Sequence, residues 1–260
     1  EKNPLILALY QLEKWVYKNA DKLIFTMAGG KKYLKEKGWE KSVGLYKIKQ
    51  VNNGVDLEEF QRCRKTYQIA DNDLENNQIF KVIYTGSIRK ANHLDLLVEC
   101  ARQLKKRDSK IKFLIWGDGE EREKLEEKCH QLKLDNIVFK GRVEKKFIPY
   151  IVGKADVNYI HGQDTELVRF GISMNKQFDY LAAGRPIFCD IKPDYDLIEK
   201  YGCGITVKGN STKEILDGLC WFERQTKETL EQYGHAASKL AENFDYKKLA
   251  DKIEQILLEA

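Results

Sequence analysis

Short apolar runs alternate along this chain with longer stretches in which apolar residues return every three or four positions. The run FKVIYTG (80–86) reads as a buried strand, and Leu94, Leu97, Val98, Ala101 and Leu104 after it share one helical face. IKFLIWG (111–117), NIVFKG (136–141), ADVNYI (155–160), RPIFCD (185–190) and CGITVK (203–208) repeat the strand signal, each separated from the next by a helical pattern. Continuous apolar strands joined through helices predict an α/β fold built on a doubly wound, Rossmann-like parallel sheet. Upstream, residues 5–19 read as a helix, 22–27 as a short strand, 28–38 as a helix and 48–56 as a strand ending in a turn. Helices at 211–221, 226–243 and 245–259 complete the chain, which thus carries extra helices at both ends. The pattern divides into 1–60, a polar linker at 61–78, a sheet domain at 79–234 and C-terminal helices at 235–260.

In such a sheet, ligands bind beyond the carboxyl ends of the strands. Gly86, Gly117, Gly119 and Gly141 collect there, with His161 as a further cleft candidate. His93, after the first loop, fits a structural or solvated role better than a phosphate contact, and Tyr84 and Trp116 read as packing residues. Gly117-Asp118-Gly119 lacks the third glycine of a dinucleotide fingerprint, since Arg122 stands in its place. The stretch FGISMNKQFDYLAAGRP (170–186) predicts Ser173 as the N-cap of a helix over about 174–182, closed by Gly184. Its first turn holds Lys176, where a positive charge opposes the helix dipole unless an anion sits there, and Asp179 follows within one turn. A phosphate group near Lys176 and a hydroxyl-bearing group near Asp179 are one reading; a solvated ion pair is the other.

Composition narrows this picture without deciding it. The 260 residues leave room for one large or two smaller α/β units. Cys63, Cys100, Cys129, Cys189, Cys203 and Cys220 show no zinc spacing and fit reduced thiols in a cytoplasmic chain. No run approaches the length of a membrane span, and the chain begins at Glu1, as a fragment would. The net charge of +5 is compatible with phosphorylated ligands. The lysine-rich segment 29–49 reads as a solvated helix and loop, with peripheral contact to an anionic membrane as the alternative, and nothing resembles a nucleic-acid module.

Taken together, YTGSIRKANHLDLL, FLIWGDGEEREKL, NIVFKGRVEKKFIPYIVGKADV and FGISMNKQFDYLAAGRPIF, in that order, resemble the nucleotide-sugar-binding half of a family 4 retaining glycosyltransferase with the GT-B fold, of the bacterial surface-polysaccharide subgroup. NADKLIFTMAGGKKYLKEKG and VNNGVDLEEF resemble the end of that family's first domain and the crossover. The resemblance implies that residues 1–60 are a remnant of the first domain and that the last helix braces it. It also implies a UDP-, GDP- or other nucleoside-diphosphate sugar as donor, no metal, and a lipid-linked saccharide as acceptor at the inner face of the membrane. Asp179 matches the second acid of the family's Glu-x7-Glu signature, which holds the ribose. The backbone at Ser173, Met174, Asn175 and Lys176 matches the diphosphate contact, Arg142 and Val143 the base-reading segment, and Gly86 the glycine of the first loop.

Three positions depart from the family pattern. Gly171 replaces the first signature acid, which leaves Glu166 or Asp164 as substitutes, and Ser87 and Asn92 stand where the phosphate-gripping arginine and lysine belong. Arg89, Lys90 or Lys176 would then compensate, with Lys176 and Arg89 expected to stabilise the leaving diphosphate. Asp71-Asn72-Asp73 is expected to be solvated in the linker rather than metal-binding. A nucleotide-binding module without catalysis and a GT-B sugar-nucleotide epimerase are the competing classes.

Overall fold

The computed structural model describes residues 3–107, 109–163, 165–208 and 211–259. The chain opens with α1 (Pro4–Asn19), capped by the Asn3 side chain on Leu5 N–H, followed by β1 (Leu23–Phe25), α2 (Gly30–Glu36), α3 (Glu40–Val43) and β2 (Ile48–Gln50). β1 and β2 form a two-stranded parallel sheet over a small core of Leu23, Leu34, Trp39, Val43 and Ile48. Leu34 and Trp39 of the lysine-rich segment therefore point inward, and Tyr46 stays exposed. α1 buries none of its residues.

Next come α4 (Leu57–Thr66) and α5 (Asn72–Glu75), so helical structure occupies much of the stretch expected as a polar linker. Phe60 and Leu74 anchor these helices to the main body. The expectation that Asp71 and Asp73 are solvated is corrected: Asp71 caps α5, Lys140 Nζ lies 2.8 Å from Asp71 and 2.6 Å from Asp73, and Lys112 Nζ lies 2.6 Å from Asp73. Both carboxylates are largely buried, which a surface linker would not require.

The main body runs β3 (Phe80–Thr85), α6 (Asp95–Lys105), β4 (Ile111–Trp116), α7 (Arg122–Gln131), β5 (Ile137–Gly141), α8 (Ile148–Gly153), β6 (Val157–Ile160), α9 (Asn175–Ala183), β7 (Ile187–Cys189), α10 (Leu197–Lys200), β8 (Gly204–Thr206), α11 (Thr212–Glu223), α12 (Lys227–Ala241) and α13 (Tyr246–Leu258). Its six strands are all parallel in the order β5-β4-β3-β6-β7-β8. Because successive side chains alternate faces, Val82, Tyr84, Phe113 and Ile115 pack with α6 and α11 on one side, and Ile83, Leu114 and Trp116 pack with α5 and α8 on the other. These strands are buried on both faces, which is why they read as unbroken apolar runs. The chain order reverses between β3 and β6, and a crevice opens there at the carboxyl ends.

α13 returns to the first elements: Leu249 and Ile256 pack on Val51, Asp245 bridges to Val55, and Lys49 Nζ lies 2.7 Å from Glu259. The six cysteines are free and buried. Among the described residues, no helix is long and apolar enough to cross a membrane.

Candidate functional site

The crevice is floored by the loop after β3 and walled by the loops after β4 and β5 and by the start of α9. The β3 and β4 loops continue the strand ladder: Gly86 N–H donates to the Trp116 carbonyl and Ile88 N–H to the Asp118 carbonyl. This close pairing demands glycine at 117, since a Cβ there would lie 1.7 Å from the Gly86 carbonyl oxygen. A cavity of about 310 Å³ follows, lined by Gly86, Ser87, Trp116, Gly117, Arg142 and Val143. A second cavity of about 640 Å³ shares Gly86 and Ile148 with it and extends past Asn175, Lys176 and Asp179 towards Lys145, Glu59 and Tyr246. Gly86, Arg142, Val143, Lys176 and Asp179 are thus brought to one continuous cleft.

α9 presents its first turn to this cleft. Its N-cap is Met174, which offers no side-chain acceptor, so the expected Ser173 cap is corrected. Ser173 is engaged elsewhere: its hydroxyl accepts from Asn53 N–H at 3.1 Å and its carbonyl accepts from Asn53 Nδ2 at 2.6 Å. A long-range contact with the crossover segment has displaced the local cap. Tyr180, on the buried side of α9, accepts from Thr85 N–H at 2.8 Å and so fixes the helix to the end of β3. Gly184 closes the helix in a left-handed conformation, as the sequence predicts.

The electrostatics of the cleft are set by two largely buried charges. Burial pulls the Lys176 ammonium down to about 7, opposed by the Asp190 charge and the Cys189 thiol, and its Nζ rests 3.9 Å from the centroid of the Tyr84 ring. Burial pushes the Asp179 carboxyl up to about 6, opposed by the Lys145 charge. Among the described residues, neither side chain makes a hydrogen bond to another protein group. Both groups therefore meet the cleft with their bonding capacity unspent.

The other predicted residues fall into separate places. Arg89 does not join Lys176: it is exposed and lines a different groove of about 520 Å³ with Lys90, His93 and Lys124. Ser87 lines the smaller cavity, but its carbonyl accepts from the Tyr84 hydroxyl at 3.0 Å, and the Asn92 side chain donates to that same hydroxyl at 3.0 Å. Tyr84 is thus an organiser of the loop as well as a packing residue. Gly119 packs under Ile88, and Arg122 lies against Gly141 with its guanidinium paired to Glu126. Gly171 is buried beside Ala28 at φ +105, a conformation in which any other side chain is strained. Glu166 is solvent-exposed and paired with Arg169, so it does not replace a cleft acid, and Asp164 lies outside the described residues. His161, expected in the cleft, is 1% exposed and bonded to Asp190. Among the described residues, no group of three or more His, Cys, Asp or Glu side chains is arranged to hold a metal ion.

The profile of the family described as "Glycosyl transferases group 1" matches residues 67–240, more than half of the chain. The chain belongs to the group 1 glycosyl transferases. Solved structures agree on the fold. Anabaena HepE in complex with UDP and glucose is 15% identical, with a TM-score of 0.69 over 93% of this chain and 64% of that one. S. aureus TarM in complex with fondaparinux, alpha-GlcNAc-glycerol and UDP is 16% identical, with a TM-score of 0.65 over 95% and 46%. Sucrose-phosphate synthase from Thermosynechococcus elongatus is 15% identical, with a TM-score of 0.72 over 96% and 60%. The chain spans less than two thirds of each of these proteins. No curated protein matches the sequence at a significant level. The six-stranded group 1 domain is accordingly a Rossmann-like half of the GT-B fold.

Proposed function

We propose that this chain is the donor-binding half of a retaining, metal-independent family 4 glycosyltransferase. It binds a nucleoside-diphosphate sugar whose sugar is transferred to an acceptor hydroxyl. One observation carries the reading: Lys176 and Asp179, both largely buried and without hydrogen-bond partners among the described residues, open from the first turns of one helix onto the crevice at the switch point of the sheet. A diphosphate at the N-terminus of α9 is held by the helix dipole and by Lys176, and Asp179 accepts from ribose hydroxyls. The base lies in the smaller cavity along the main chain of Arg142 and Val143. As the glycosidic bond breaks, negative charge grows on the departing diphosphate, and the buried Lys176 ammonium stabilises it more in this low-dielectric site than it would in water. The acceptor is a lipid-linked saccharide, met at the inner face of the membrane during bacterial capsule or related surface-polysaccharide synthesis. That HepE is seen with UDP and glucose, and that WaaG, 14% identical at a TM-score of 0.60, is a glycosyltransferase of lipopolysaccharide biosynthesis, support this reading.

Calorimetric titration with UDP, GDP, ADP and dTDP, with and without EDTA, tests it. One nucleotide binds regardless of chelator and is lost in Asp179→Ala; a folded chain that binds none of the four overturns the reading. A nucleotide-binding module without transfer is the second reading, favoured by Gly171, whose backbone conformation would strain the family's first acid at that position. Sugar transfer by the full-length enzyme distinguishes the two.

A further inference from the structure

Behind the β3 loop, three polar side chains are sealed in the interior. Tyr159 and Asp190 are 0% exposed and His161 is 1% exposed, at the carboxyl ends of β6 and β7. The His161 Nε2 atom lies 3.0 Å from the carbonyl oxygen of His93. A carbonyl only accepts, so Nε2 carries the hydrogen. Nδ1 faces Asp190 Oδ2 within hydrogen-bond distance, with one proton on that line, and the Tyr159 hydroxyl donates to the same oxygen at 2.9 Å. Asp190 and Tyr159 thereby fix the imidazole ring in the orientation that reaches His93.

His93 adopts a left-handed conformation, φ +51, and ends the turn Lys90–Asn92. From that turn Asn92 donates to the Tyr84 hydroxyl, which donates to the Ser87 carbonyl, and the Tyr84 ring supports the Lys176 ammonium. Two sets of hydrogen bonds, joined through the backbone between Asn92 and His93, therefore link the buried acid to the loop that floors the cleft. A polar trio in a core is costly, the more so here because Asp190 Oδ1 finds no hydrogen-bond partner among the described residues, so its retention calls for a role. An apolar trio would fill the same space, but it would leave the inward-turned His93 carbonyl unpaired and the loop unanchored.

We propose that His161, backed by Asp190 and Tyr159, is a positioning residue for diphosphate binding, holding the loop 87–93 so that Ser87 faces the phosphates and Tyr84 stays beneath Lys176. The inference rests on the donor-nucleotide reading above. Its signature lies in the gain that the second phosphate brings, since Arg142, Val143 and Asp179, to which the base and ribose are assigned, lie on other elements, although Ser87 also borders the smaller cavity.

The test titrates the wild type, His161→Leu, His161→Gln and Tyr159→Phe with UDP, GDP, ADP and dTDP and with the matching monophosphates, and reads the ratio of diphosphate to monophosphate affinity. His161→Leu lowers that ratio about tenfold, the size of one lost buried hydrogen bond, and leaves monophosphate affinity unchanged. His161→Gln, which can offer an N–H to the His93 carbonyl, returns most of the ratio. Tyr159→Phe loosens the ring through Asp190 and lowers the ratio about twofold to threefold. An unchanged ratio in His161→Leu overturns the proposal, as does a parallel loss of both ligands or a glutamine variant no better than leucine. Should the leucine variant fail to fold, the phenylalanine variant decides: a wild-type ratio there overturns the proposal. Absence of nucleotide binding in the folded wild type removes the donor reading itself, a result visible before any variant is compared.

Discussion

Two helices of this chain break the ordinary rule of burial in opposite directions. α9 carries a lysine and an aspartate into largely buried positions, and α1 leaves eight large apolar side chains, including Leu9, Leu12 and Trp15, open to solvent. The rest of α9 explains how it tolerates this: Phe178, Tyr180 and Leu181 are fully buried, so the helix is held by its apolar face whatever its charges cost. α1 has no fully buried face, and its tie to the body runs through Tyr17 against Phe25 and Trp39 and through the Tyr33–Glu13 hydrogen bond. The difference teaches that a well-anchored helix can carry charges into its surroundings at a cost its apolar face offsets, and that a helix whose apolar residues mostly face solvent contributes little to the stability of the fold around it.

The strongest way to break this comparison is to remove the anchor. Leu181→Ala in α9 is expected to cost about 3 kcal/mol and lower Tm by roughly 6–12 °C, read by thermal denaturation. An effect below 1 kcal/mol would mean that α9 is not held by its apolar face. Next in size is Asp179→Asn, expected to weaken nucleotide binding about tenfold and at the same time to stabilise the free protein at pH 8 by about 1 kcal/mol. The sign follows from its raised pKa. Between the unfolded value of 3.8 and about 6 the folded carboxyl keeps a proton that the unfolded one has released, so the cost of the buried charge grows over that window and is complete above it. The relief in the asparagine variant should be absent below pH 4, and denaturation across pH 4–8 checks this.

Lys176 sharpens the same contrast by a smaller step. Its ammonium, lowered to about 7 in the free protein, is lost as pH rises, whereas a bound diphosphate holds the proton in place. Nucleotide affinity should therefore fall about fivefold from pH 7 to pH 8, and binding at pH 8 should take up a proton, seen as a buffer-dependent heat in calorimetry. The free protein itself gains stability over the range from pH 7 to 10.5, where the unfolded lysine still holds the proton that the folded one has given up. Leu12→Ala in α1 is the smallest effect: a change within about 0.5 kcal/mol, with reduced self-association in sedimentation. A loss comparable to that of Leu181→Ala would erase the distinction between the two helices.

The sheet was legible in the sequence because strands covered on both faces are apolar without interruption, and FKVIYTG and IKFLIWG can be little else. The short helices α3 and α5 and the full extent of α4 were not, because polar and charged positions outnumber their few buried anchors, Val43, Leu74, Phe60 and Cys63. In the candidate site, Lys176 and Asp179 were singled out through their place in the first turns of a helix, and the structure brings both to the same cavity. Ser173 was misassigned because local rules cannot see Asn53 arriving from the crossover. His161 looked like a cleft residue from its position at a strand end, but Asp190 and the His93 carbonyl, both distant in sequence, draw its ring inward. Arg89 lies apart from Lys176 for a similar reason: the turn after Ile88 carries it round to the groove beside α7. Tyr84 was read as packing alone, since a tyrosine in a buried strand gives no sign of what its hydroxyl will meet.

The crowding at Gly117 reaches beyond the geometry of the cleft. With no room for even one methyl group beside the Gly86 carbonyl, the position has a single acceptable codon family, whereas solvent-facing α1 tolerates a broad vocabulary. A randomised library selected for folded, nucleotide-binding protein should return glycine at 117 almost without exception and a mixture at Leu9. Drift among such domains can then erase most of the text, as identities near 15% illustrate, and the places where two backbones touch are where it is expected to stop.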